Sequence, residues 1–78
     1  MESSFGLHSL RPGETALVKC LNSSGALRRR LLDMGMVEGT RVECLGVSPG
    51  GDPKAFLVRG SMLAIRDRDC RDIIVNRS

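Results

Sequence analysis

The sequence predicts an all-β fold, a small barrel with one short α-helix between its first and second strands. Three observations lead there. Short stretches of alternating apolar and polar residues recur along the chain, divided by turns rich in Gly and Pro. A single helical pattern interrupts them, with Leu27, Leu31 and Met34 at i, i+4 and i+7. Finally, 78 residues suffice for one domain, and a few short strands leave two raw edges unless their sheet curls on itself.

The first strand runs from Thr15 to Leu21, setting Ala16, Val18 and Cys20 against Thr15, Leu17 and Lys19, with Leu17 as an apolar exception on the outer side. Asn22, Ser23 and Ser24 then offer side-chain oxygens to cap a helix beginning near Gly25, although no Glu or Gln follows at capping-box spacing. The apolar face of this helix is expected to cover one open end of the barrel. Gly35 ends it, because a residue without Cβ enters the left-handed region at no steric cost. Met36 and Val37 continue as an apolar pair, and Glu38-Gly39 supplies a second turn.

A second strand starts at Arg41 with Val42 and Cys44 in one phase, and that phase is lost at Leu45-Gly46-Val47, where a glycine can hold a bulge. The cluster at 48–53, with two prolines and two glycines, reads as the long loop of a hairpin to Ala55-Phe56-Leu57-Val58. A shorter turn at Arg59-Gly60-Ser61 leads to a fourth strand over 62–66, antiparallel to the third. The charged stretch 67–71 allows a single helical turn, and Ile73-Ile74-Val75 closes the sheet as a fifth strand.

Composition narrows the function. Apolar residues make up 41% of the chain, yet Phe5 and Phe56 are its whole aromatic complement, so aliphatic packing must carry the fold. No apolar run approaches the roughly 20 residues that cross a bilayer, and Met1-Glu2-Ser3-Ser4 has none of the regions of a signal peptide. A cytoplasmic location without membrane insertion is expected. Cys20, Cys44 and Cys70 are odd in number and form no C-x-x-C pair, which points to reduced thiols and away from a disulfide framework or zinc site. Cys20 and Cys44 fall in apolar strand phases and are expected in the core; Cys70, in a charged run, is expected to reach solvent.

The net charge is +3. Arg28, Arg29 and Arg30 invite a nucleic-acid reading, but on a helix neighbouring residues diverge by about 100°, so the three guanidinium groups fan apart. The aromatic platform that stacks single-stranded bases is also lacking. His8 is the one histidine, so no Cys–His dyad or multi-His metal site can be assembled. Asp67, Asp69 and Asp72 alternate with Arg66, Arg68 and Arg71, a pattern suited to local ion pairing. Arg29 and Asp33 stand at i, i+4 in the less favourable order. No catalytic residue, metal ligand or cofactor is expected. Leu32 lies off the apolar stripe and is a candidate exposed contact. The 48–53 loop lacks the lysine and helix of a nucleotide loop, and serves either as a rigid connection or as a recognition surface.

An ordered set of segments resembles the FeoA family: Leu10-Arg11-Pro12-Gly13-Glu14, then Arg30-Leu31-Leu32-Asp33-Met34-Gly35-Met36 with Gly39-Thr40, then Pro49-Gly50-Gly51-Asp52-Pro53, then Leu63-Ala64-Ile65-Arg66 before Ile73-Ile74-Val75. The likeness covers about residues 7–75 of a single domain spanning 1–78. It implies an SH3-like barrel that is a non-catalytic cytoplasmic accessory of ferrous iron uptake. By the same resemblance its partner is FeoB, a membrane transporter with a GTP-binding domain, and transition-metal association belongs to the family as a whole. The expected partner-binding residues are Arg28, Arg29, Leu32 and Met36 on the helix and its exit, with Pro49 and Asp52 from the hairpin loop. Self-association stays open, since an exposed apolar patch serves a copy as well as a partner. Two other readings are kept: a nucleic-acid-binding barrel, which a steep salt dependence would reveal, and a peptide-binding module related to the barrels of metal-dependent repressors.

Overall fold

A computed structural model describes residues 3–77. Its strands are β1 (Ser4–Gly6), β2 (Thr15–Leu21), β3 (Arg41–Val47), β4 (Lys54–Val58), β5 (Ser61–Ile65) and β6 (Ile73–Arg77). They form one antiparallel sheet in the order β1-β6-β2-β3-β4-β5, so β1 and β5 are its two ends. Helix α1 (Gly25–Asp33) joins β2 to β3, and a single turn, α2 (Asp67–Cys70), joins β5 to β6.

The five expected strands are six. The added β1 pairs Ser4, Phe5 and Gly6 with Asn76, Val75 and Ile74, and three residues are too few for alternation to show in sequence. The Arg77 guanidinium lies 5.3 Å from the centre of the Phe5 ring, a cation–π contact that helps to hold this short strand. A 3-10 turn, Leu7–Ser9, follows. Its spacing puts Leu7 and Leu10 on one side, and both are buried, contributing core that strand patterns alone do not reveal. The Lys54 ammonium donates to the carbonyls of His8 and, at 3.3 Å, of Leu10. It thereby ties the start of β4 to this turn.

The core is filled by the inward row of each long strand, including Val18, Val42, Val58 and Val75, around a fully enclosed Phe56. Two register shifts decide which side chains join it. In β2 the shift between Val18 and Cys20 rotates the strand's end, so Cys20 is exposed and not in the core as its phase suggests. In β3 the shift between Cys44 and Gly46 falls where the glycine predicts a bulge and leaves Leu45 exposed. Cys70 corrects the other thiol expectation. The α2 turn points it inward, where its Sγ donates to the Ile65 carbonyl at 3.8 Å. Burial, reinforced by the Asp67 carboxylate, pushes this thiol up to about 12.

Candidate partner-binding surface

Helix α1 is specified more by its exit than by its entry. Ser24 occupies the N-cap in an extended conformation but makes no side-chain capping bond, contrary to the expected role of the Asn22-Ser23-Ser24 oxygens. Ser23 is buried with its hydroxyl unpartnered. At the other end, Gly35 N–H donates to the Leu32 carbonyl and Met36 N–H to the Leu31 carbonyl, both at 3.0 Å. With Gly35 at φ +101°, this is the paired-bond Schellman ending, in which the residue after the glycine folds back over the last inward residue of the helix.

That geometry sets the depth of one predicted site residue. Met36 is that residue; it is buried with Leu31 and lines the cleft described below from within. Val37, one position on, is 38% exposed beside Leu32 at 37%. The hydrophobic contact characteristic of a Schellman motif is the signal by which sequence reading could have placed Met36 inward and added Val37 beside Leu32.

Leu32, Val37 and Arg28 share a shallow cleft of about 250 Å³ with Met36 and with Lys19, Cys20 and Leu21 at the end of β2. The Arg28 Nη1 donates to the Leu21 carbonyl at 3.0 Å, fastening the helix to that strand. Arg29 is exposed on the helix but does not line this cleft. It makes no ion pair with Asp33 among the described residues. Pro49 and Asp52 lie outside the cleft too. The Asp52 carboxylate instead accepts from the Asp67 backbone N–H at 2.9 Å, pinning the hairpin loop to the first turn of α2. The six predicted residues therefore form no single face: Arg28, Leu32 and the buried Met36 line one cleft, while Arg29 and the hairpin pair stand apart.

Some of the remaining polar groups have structural work. Arg71 pairs with Asp67 at 3.2 Å within the charged run, as its alternation suggests, and Arg77 approaches Glu14 at 3.9 Å. The His8 ring packs over Gly6, where an added Cβ would lie 2.5 Å from Nδ1. Among the described residues no three His, Cys, Asp or Glu side chains gather in a way that could hold a metal ion. No helix there is long and apolar enough to cross a membrane.

Comparison with known proteins places this architecture. The FeoA domain family model matches residues 5–77. No curated protein matches the chain. Among solved structures, FeoA from Chlorobium tepidum superposes with a TM-score of 0.87 at 33% identity, over 92% of this chain and 69% of that one. FeoA from Stenotrophomonas maltophilia, a prokaryotic SH3 domain protein complexed with zinc, matches at 27% identity and a TM-score of 0.81, over 90% of this chain and 87% of that one. T. acidophilum IdeR shares the fold alone, with a TM-score of 0.85 at 21% identity over 97% of this chain and 35% of that one. With the family match spanning the sheet from β1 to β6 and the SH3-like barrel present, this chain belongs to the FeoA family, which is associated with ferrous iron uptake.

Proposed function

We propose that this protein is a non-catalytic accessory of ferrous iron uptake that binds the cytoplasmic part of a FeoB-type transporter and shifts the populations of its nucleotide-dependent states. The observation that carries the reading is the cleft where Leu32 and Val37 stand exposed beside Arg28. Two apolar side chains held at the surface by the helix ending, next to a guanidinium anchored through Leu21, form a small docking patch with a charged rim. Family membership supplies the transport context, and the patch supplies a means of contact. Iron enters this reading as the transporter's cargo.

The test is calorimetric titration of the FeoB cytoplasmic domain, with and without guanine nucleotide, into the wild-type protein and a Leu32→Glu variant. Leu32→Glu should weaken binding at least about tenfold, since burying one carboxylate in an apolar contact costs more than ~1.4 kcal/mol. Its thermal melt should stay at the wild-type value. Absence of heat with wild-type protein in either nucleotide state would remove the reading.

A further inference from the structure

The last strand of the sheet, β5, has a partner on one side only among the described residues. Its hairpin register fixes which backbone groups are left over. Val58 and Ser61 flank a two-residue turn in which Arg59 and Gly60 both have positive φ, +52° and +81°. Such a turn makes the flanking pair the one that exchanges both hydrogen bonds. Leu63 and Ile65 repeat that pairing, and Met62 and Ala64 direct their N–H and C=O groups away from β4. Natural edges are usually blunted by a charge, a proline or a bulge. Here the strand reads Ser61-Met62-Leu63-Ala64-Ile65 with none of these.

Both sides of this edge are prepared for side chains. On one side a groove of about 540 Å³ separates β5 from α1, with Leu27, Leu31, Met34 and Leu63 in its lining. On the other a shallower cleft includes Val47, Ala55 and Met62. Among the described residues Met62 is the most exposed of the large apolar side chains, at 71%. A strand laid against β5 would send alternate side chains into these two recesses. The groove is also electrically one-sided. Arg30, Arg66 and Arg68 line it against a single carboxylate, Asp69, and none of the three arginines forms a salt bridge among the described residues.

We propose that β5 and this groove bind an extended segment of a protein partner, apolar at its centre and flanked by Asp or Glu, which adds to the sheet as a seventh strand. Backbone bonds to Met62 and Ala64 supply the attachment, and the arginines select for carboxylates. The surface is separate from the Leu32 cleft, and the inference does not depend on the FeoB reading.

The probe is a nine-residue peptide, Asp-Glu-Val-Thr-Leu-Thr-Val-Glu-Asp, titrated into isotopically labelled full-length protein and followed by amide NMR. Shifts and slowed hydrogen exchange should centre on Met62 and Ala64. Replacing the central Leu of the peptide by Pro should abolish them, because proline cannot bond in a ladder. Exchanging the four flanking carboxylates for Lys should weaken binding by about tenfold or more at low salt, as should an Arg66→Glu, Arg68→Glu double variant of the protein. Equal binding of the acidic and lysine-flanked peptides overturns the proposal. So do shifts confined to Leu32 and Val37, and so do Met62 and Ala64 shifts that follow protein concentration without peptide, which would assign the edge to a second copy of the chain.

Discussion

Leu31 and Met36 are buried, whereas their immediate neighbours Leu32 and Val37 are more than a third exposed. All four are apolar and lie within six positions of one another, so residue type cannot account for the division. The Schellman ending does. Once Met36 N–H bonds the Leu31 carbonyl, these two side chains are brought together on the core side, and the next residue of each is carried outward. A core edge and a docking patch are thus made by one backbone turn. The largest effects should follow that line. Leu31→Ala and Met36→Ala should each destabilise by about 2–5 kcal/mol. The matched Leu32→Ala and Val37→Ala changes should stay within about 0.5 kcal/mol, as surface substitutions do. Urea denaturation of the four variants measures the contrast, and a large loss at Leu32 would return that residue to the core.

The turn itself can be attacked without touching either pair. Gly35 adopts φ +101°, and a Cβ built there would lie 2.6 Å from the Arg59 Cδ. Arg59 is exposed and its flexible chain can move aside, so the main cost of Gly35→Ala is the backbone conformation, about 1–2 kcal/mol. In a domain of this size each kcal/mol lowers Tm by about 4–8 °C. If the melt of Gly35→Ala matches that of wild type, the glycine ending is not what divides inner from outer residues.

How far the sequence reveals this depends on the range over which each feature is determined. The helix stripe, the Gly35 stop, the bulge near Gly46 and the hairpin turns are local, and all follow from neighbouring residues. Leu7 and Leu10 escape notice because a 3-10 turn buries them at a spacing too short to announce a helix. β1 is legible only through its pairing with β6, some 70 residues away. The predicted contact set was a local reading of a non-local object. Leu32 could be placed outside by the helical wheel, but the separation of Arg28 from Asp52 depends on where the sheet carries the hairpin loop. Asp52, bonded to the first amide of α2, shows how a loop carboxylate that looks free in sequence can be engaged across 15 positions.

The two mispredicted thiols offer a probe of the same inside–outside contrast with almost no perturbation at neutral pH. Cys20 lines the cleft with Leu32, whereas Cys70 is fully enclosed and Cys44 is buried on β3, paired with Phe56 of β4. A maleimide at pH 7.5 should therefore label Cys20 alone in the native protein and all three after unfolding, and a bound partner covering the cleft should slow that labelling. Alkaline pH then reports on the interior. The unfolded chain loses the Cys70 proton near its ordinary 9.0, while the folded chain holds it to about 12. Between those values the unfolded state has fewer protons bound, so stability is full below pH 9 and falls as pH rises toward 12. Burial also pushes the Cys44 thiol up, adding in the same direction. Cys70→Ala should flatten the fall in denaturation midpoint between pH 9 and 11, whereas Cys20→Ala should leave it unchanged. An equal effect from both would mean that the α2 turn does not hold Cys70 inside.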